Sequence, residues 1–243
     1  MIDLPGHLAH ADRIVVFTGA GISAESGIAT FRAPDGIWAQ FKPEELANID
    51  AFMANPERVW QWYQYRRHVV ESATPNAGHR AIADLEQFIP RVDVVTQNVD
   101  GLHRAAGSTH VHELHGSLIA HRCLECGRPY EIAPDEQHVP QCPECGGLIR
   151  PGVVWFGEEL PADVWDAAEA ATRECDLFLS VGTSTIVYPA ASLPFLAIRL
   201  GKYVIEVNPE STDFSRYADR SVRETAGVAM PQIAEQLYAL RNQ

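Results

Sequence analysis

Four cysteines fall as Cys123-x2-Cys126 and Cys142-x2-Cys145, with fifteen residues between the pairs. No other feature limits the fold of this chain so strongly. Thiolate pairs at this separation close a tetrahedral zinc site, and the backbone between them must turn back on itself as a small ribbon. All four ligands are protein sulfurs, so the metal keeps no position for water and is structural; the chemistry lies elsewhere. Two disulfides would use the same residues, but they belong to oxidising compartments. Met1 to Ala11 has no apolar run behind a basic start, so a secretory leader is not expected. Reduced, metal-bound cysteines fit a cytoplasmic protein. His112 and His115 sit just upstream in His-Glu-Leu-His-Gly, but they lack the four-residue spacing of a zinc-protease helix. Cys175 precedes Leu177-Phe178-Leu179 and reads as a buried bystander.

The 243 residues suffice for one large core, or for one large and one small module. The net charge of −13 argues against nucleic-acid binding through a broad basic surface. It fits a positively charged partner such as a lysine-rich segment, and it equally fits simple solubility. No stretch approaches the ~18 apolar residues of a membrane span. A monomer with no membrane partner is expected.

Short apolar runs at Ile14–Phe17, Val92–Val95, Leu177–Val181 and Tyr203–Val207 read as buried parallel strands. Helical patterns separate them. Asn76 caps one that runs through Arg80 to Phe88; Pro161 opens a second and Pro231 the last. Strands alternating with helices predict an α/β fold, a doubly wound parallel sheet of Rossmann-like type. Two insertions interrupt it and predict a smaller, discontinuous module of helices and zinc ribbon. The expected boundaries are 1–32, 73–117 and 153–243 for the large domain, and 33–72 and 118–152 for the small one.

In such sheets the ligand lies beyond the carboxyl ends of the strands. Gly19-Ala20-Gly21-Ile22-Ser23 follows the first strand, where glycines admit a diphosphate to the backbone. The third glycine of a dinucleotide fingerprint is displaced to Gly27, so a plain tight turn stays open as an alternative. Gly182, Thr183 and Ser184 can add amide and hydroxyl contacts. Asn208 and Glu210 are candidate ribose partners, or else ordinary strand-end caps.

The segments Gly19–Ser23, Phe31-Arg32, Pro75–His79, Thr96–His103, His112–Gly116, the four cysteines, Arg150–Glu158, Gly182–Ser184 and Glu206–Glu210 occur in this order. As a series they resemble the sirtuins, NAD-dependent protein lysine deacylases, over nearly the whole chain. The short flanks are similar to the bacterial members. Gly27-Ile28-Ala29-Thr30 departs from the family, which usually has proline at the third position of this run. The resemblance implies NAD as co-substrate, one structural zinc, and acyl-lysine proteins or peptides as substrates. It implies cleavage of NAD at the nicotinamide–ribose bond, attack by the acyl oxygen, and release of nicotinamide, free lysine and 2′-O-acyl-ADP-ribose. His115 matches the general base, a task that suits imidazole near neutral pH. Asn98 and Asp100 match the residues that hold the reacting groups. Ala20, Ser23, Gln97, Pro209 and Ala226 join the glycine turns, Asn208 and Glu210 in the implied cofactor site. Phe31 shields the sugar and Arg32 holds a hydroxyl or phosphate. Bland readings remain: Phe31 as core, Arg32 as an ion pair, His115 as a structural hydrogen-bonder. Val153 to Glu158 are expected to form an extended edge to which a peptide adds as a strand, with Val153, Val154, Trp155 and Phe156 as substrate contacts.

Pro56 to Arg67 reads as a helix capped by Asn55, and Val59, Tyr63, Arg66 and Val70 share one face. An arginine on an apolar face needs a partner, and guanidinium suits a carboxylate. The Tyr-x-x-Arg pair is similar to that of the succinyl-preferring class, which implies removal of succinyl, malonyl or glutaryl groups, and acetyl as well. An acidic neighbour within the protein is the other partner Arg66 could have. Two rival functions stay open: an ADP-ribosyltransferase using the same pocket, and a catalytically silent NAD-binding module.

Overall fold

The computed structural model describes residues 2–30, 37, 42–133 and 136–242. Eight strands are seen among them: β1 (Arg13–Thr18), β2 (Arg91–Thr96), β3 (Val111–Glu113), β4 (Gly116–Cys123), β5 (Ile149–Val153), β6 (Leu177–Val181), β7 (Tyr203–Val207) and β8 (Arg220–Val222). Six form one parallel sheet in the order β3-β2-β1-β6-β7-β8. The chain winds outward from β1 in one direction, then returns beside it with β6 and winds the other way. The order therefore reverses between β1 and β6, where a doubly wound sheet leaves a crevice at its carboxyl end. All four strands expected from the sequence are present; β3 and β8, three residues each, are too short to give a pattern.

The strands are apolar on both faces, because helices cover both. Ile14, Val16, Val92, Val94, Leu177 and Leu179 pack with Ile82 and Leu85 of the helix Ala77–Leu85 and with Met230 and Ile233 of the helix Ala226–Arg241. Val15, Phe17, Val95 and Phe178 face the opposite way, onto Ala168 of the helix Ala162–Glu174 and Leu193 of the helix Ser192–Arg199. Asn76 caps its helix as expected, with its side chain accepting from the amides of Gly78 and His79. That helix stops at Leu85 rather than Phe88, and i to i+3 bonds close the last turn before Pro90. Pro231 does not open the last helix but lies inside it, five residues after Ala226. The first turn forms regardless, since Ala226, Ala229 and Met230 are buried against the sheet and the Glu25 carboxylate takes the Gly227 amide at 2.7 Å.

The remaining sheet is the antiparallel pair β4–β5. Against it packs the helix Pro56–Ser72, which begins at Asn55, whose side chain accepts from the Arg58 amide at 3.1 Å. Val59, Tyr63 and Val70 bury one face of this helix with Phe52, Leu118, Val153 and Trp155, while Trp60 packs with Cys123, Cys142 and Ile149. The extended edge expected over Val153–Glu158 ends at Val153. Beyond it the amides of Val154 and Phe156 are taken by the carbonyls of His115 and Ala47. Gly157, at φ +88°, turns the chain so that Glu158 can reach Arg150.

Candidate functional site

The turns that follow β1, β2, β6 and β7 meet at the switch point. The Gly19 amide donates to Val181 at 3.1 Å, the Gly21 amide to Gly182 at 2.8 Å, and the Gly182 amide to Val207 at 2.9 Å. Two glycine turns are thus pressed together. A Cβ on Gly21 would fall 2.7 Å from the Gly182 oxygen, and one on Gly182, at φ +61°, 2.4 Å from the Ile22 nitrogen. Ala20–Ser26 forms a 3-10 turn, closed by Gly27 at φ +82°. Gly27 is therefore a helix terminator, and the displaced third glycine of the sequence has its reason here.

Ser23, Asn98 and Asp100 are buried together. Ser23 donates to the Asp100 carboxylate at 2.7 Å; the Asn98 amide donates to the Gly19 carbonyl at 3.1 Å and lies 3.2 Å from the Ser23 hydroxyl. The other Asp100 oxygen accepts the Leu102 amide at 2.9 Å, which fixes the turn. Gln97 spans the ends of β2 and β6, across the intervening β1, by donating to the Thr183 hydroxyl at 2.9 Å. Its backbone carbonyl accepts from His115 Nδ1 at 3.0 Å. A carbonyl can only accept, so Nδ1 carries the proton and Nε2 is left with its lone pair. Burial pushes the His115 pKa below its ordinary value, while the bond to Gln97 opposes that shift. The ring is thus a neutral base at neutral pH.

Asn208 is half-buried; it donates to the Thr183 carbonyl at 3.2 Å and accepts from the Glu210 amide at 3.2 Å. Pro209 and Glu210 are exposed, Ser184 is half-buried, and Ala226 begins the last helix, close against Gly78. Phe31 and Arg32 lie outside the described residues. The set of amides, hydroxyls, one carboxylate and one neutral imidazole at a topological switch point fits a dinucleotide.

Four further residues belong to this crevice and were given no role from the sequence. His103 Nε2 lies 2.9 Å from the Thr18 hydroxyl, Thr18 bonds Thr96 at 2.8 Å, and Thr96 accepts the Asn98 amide at 3.0 Å. His79 stacks edge-on to His103, with ring centroids 4.9 Å apart. Burial holds both imidazoles well below their ordinary pKa. His79 Nε2 and His103 Nδ1 have no hydrogen-bond partner among the described residues. The available signal was that Thr18 and Thr96 each end an apolar strand.

The cysteines converge. Their four sulfurs lie within 4.8 Å of one another, with Cys123 to Cys145 at 3.5 Å and Cys126 to Cys142 at 3.8 Å. Tetrahedral zinc with bonds near 2.3 Å sets its sulfurs about 3.8 Å apart, so the four residues fit the ion. Gly127 and Gly146, at φ +71° and +74°, make the turns beside each pair. None of the four forms a disulfide. Cys175 is buried, donates to the Thr172 carbonyl, and has its pKa pushed up to about 12 by burial, so it is inert.

Residues 19–189 match the Sir2 family. The chain belongs to the Sir2 family. This Sir2 chain is 51% identical over 226 residues to an Aquifex aeolicus protein named NAD-dependent protein deacylase, covering 92% of this chain and 95% of that one. A Mycobacterium tuberculosis protein of the same name is 52% identical, with 94% and 99% covered. Among solved structures, a Sir2 homologue in complex with NAD superposes with a TM-score of 0.90 at 47% identity, over 96% of this chain and 92% of that one. A Sir2 complex with a p53 peptide and NAD+ gives 0.84 at 34% identity, covering 94% and 95%.

On the far side of the crevice, Tyr63 and Trp155 are buried in contact, and the Trp155 Nε1–H donates to the Tyr63 oxygen at 2.9 Å. Burial raises the Tyr63 pKa to about 12, against the pull of nearby Arg66, so the phenol stays neutral. Arg66 follows one turn later on the same helix, its guanidinium carbon 4.9 Å from the centre of the Trp62 ring. Burial lowers its pKa, while Tyr63 and Asp100 favour its charge; the arginine stays protonated and within the field of the crevice carboxylate. Val153 is buried, Val154 half-buried and Phe156 exposed.

Proposed function

We propose that this Sir2 protein removes acyl groups from protein lysines at the expense of NAD, and that it prefers acyl groups ending in a carboxylate. Family membership and relatives named NAD-dependent protein deacylase at about half identity support the general reaction. They disfavour the ADP-ribosyltransferase alternative. When bound, NAD supplies a ribose carbon made electrophilic by loss of nicotinamide. The chain's own residues do the rest. Gly19 to Ser23, Gln97, Thr183 and Asn208 hold the cofactor. Asn98, kept in place by Gly19 and Ser23, and Asp100, kept by Ser23 and Leu102, orient the reacting sugar. His115 accepts a proton at Nε2 from a ribose hydroxyl, its tautomer fixed by Gln97.

The preference for succinyl, malonyl or glutaryl groups rests on one observation. Tyr63, buried and neutral, accepts from Trp155, and among the described residues nothing accepts its own proton. A hydroxyl donor beside a guanidinium suits a carboxylate, and an acetyl group offers neither of them a charge. The test is Arg66→Met, assayed with NAD and matched acetyl and succinyl peptides, with every product identified by mass. Loss of a charge-assisted contact lowers desuccinylation by about 10- to 100-fold relative to deacetylation. An equal fall in both activities rejects the carboxylate clamp.

A further inference from the structure

The indole of Trp155 is fixed at three places. At its rim, Nε1–H donates to Tyr63 at 2.9 Å. Across its face, the guanidinium carbon of Arg150 lies 3.5 Å from the ring centre. At its backbone, the amide donates to Glu158 at 2.8 Å. Arg150 is only 2% exposed. It is paired with Glu158 through both terminal nitrogens, one of them at 2.9 Å, and it donates to the Val153 carbonyl at 3.0 Å. Phe52 packs on the indole at 5.3 Å.

A buried ion pair is weak as a source of stability, and apolar side chains of the same volume often replace one without loss. An apolar side chain would not polarise the indole it covers. A cation on the ring face withdraws electron density and strengthens the N–H as a donor. A phenol that accepts a stronger hydrogen bond becomes a stronger donor in turn, since linked hydrogen bonds polarise one another. The line from Glu158 through Arg150 and Trp155 ends on the one hydroxyl assigned to the acyl terminus.

We infer that Trp155, clamped by the Arg150–Glu158 pair, is a positioning residue that aims and strengthens the Tyr63 hydroxyl. Selectivity for carboxylate-terminated acyl groups is thereby set from the loop after β5, as well as from the helix that carries Tyr63 and Arg66. This rests on the carboxylate-clamp reading of Tyr63 and Arg66. It also gives Trp155 a task apart from direct contact with the substrate.

Trp155→Phe keeps a ring for Arg150 and Phe52 and removes the N–H. It is measured beside Arg66→Met on three peptides: succinyl-lysine, acetyl-lysine and the neutral amide analogue of succinyl-lysine. The quantity read is the ratio of kcat/KM for succinyl over each of the other two, so any loss common to all three cancels. The ratio is expected to fall about five- to tenfold in Trp155→Phe, carried by KM. If Arg66→Met is selective and Trp155→Phe lowers all three peptides alike, Trp155 merely packs; this inference fails and the clamp survives. If Arg66→Met is itself unselective, the clamp reading falls and the inference with it. Should Trp155→Phe lack all turnover, the double variant Arg150→Met/Glu158→Gln decides. It leaves the N–H and removes the charge on the ring. A ratio lowered about two- to threefold upholds the inference, and an unchanged ratio overturns it.

Discussion

The crevice on the six-stranded sheet and the Tyr63–Trp155 packing beside β4 and β5 are built by different rules. In the crevice, Ser23, Asn98 and Asp100 sit on turns that directly follow strands, and each turn is a contiguous run of the sequence. Parallel pairing of β1, β2 and β6 brings their ends level, so the functional groups arrive together once the sheet forms. Beside β4 and β5, Tyr63 meets Trp155 across 92 residues of chain. No sheet register aligns them. They meet because the helix Pro56–Ser72 packs on a ribbon that the cysteines hold closed. One site is thus fixed by backbone hydrogen bonding, the other by side-chain packing on a metal-dependent module.

Removing the metal is the strongest way to separate them. Structural zinc sites in small modules contribute roughly 10–16 kcal/mol, more than such a ribbon can replace. Stripping zinc with a chelator is expected to free the amides of Cys123 and Cys142, which bond to Arg128 and Gly147, for hydrogen exchange. The amides of β1, β2 and β6 stay protected, and deacylation is lost with the packing of Tyr63 on Trp155. If both regions lose protection together, they are a single cooperative unit and the contrast drawn here is wrong.

A smaller effect probes the crevice alone. His115→Ala removes the proposed base and should lower deacylation by about 10²- to 10⁴-fold, with zinc content and β4–β5 exchange unchanged. The base must be unprotonated, so activity rises with pH through the His115 pKa and then levels off. Because burial lowers that pKa, the acidic limb of kcat/KM belongs below the ordinary imidazole value of about 6.5. A limb above that value, or turnover that survives the substitution, removes His115 from the role.

This contrast also explains what the sequence could reveal. Apolar runs and glycine turns are local signals, so the parallel sheet, the converging turns and the zinc ribbon are legible in it. Pairing is not local. Nothing near Arg150 or Glu158 in the sequence says that they clamp Trp155, and nothing near Gly157 announces the turn that ends β5 at Val153. Pro231 reads as a helix start on propensity, yet burial of Ala226, Ala229 and Met230 carries the helix a turn further back. Thr18 and His103 were hidden for another reason. Each belongs to a motif whose neighbours attracted the chemical reading, and only the fold shows them bonded to one another.

The smallest expected effect concerns the floor of the crevice. His79 and His103 are buried at 0% and 2% exposure, and burial depresses both pKa values. Beside them, Asp100 and Glu25 favour protonation of His79, and Arg80 opposes it. A histidine held neutral in the fold and free to protonate when unfolded makes the unfolded chain bind more protons on acidification. Its contribution is complete above about pH 6.5 and is lost progressively as pH falls toward the depressed folded values. The stability of the six-stranded sheet should therefore decline below about pH 6.5, by up to about 1.4 kcal/mol per pH unit for each titrating histidine. Denaturant titrations of the zinc-loaded protein between pH 7 and pH 5 measure this slope. His103→Gln should flatten it, because the amide can still donate to Thr18 and has no proton to gain. An unchanged slope both in that variant and in the double variant His79→Gln/His103→Gln would mean that acid acts elsewhere and that the crevice floor is indifferent to it.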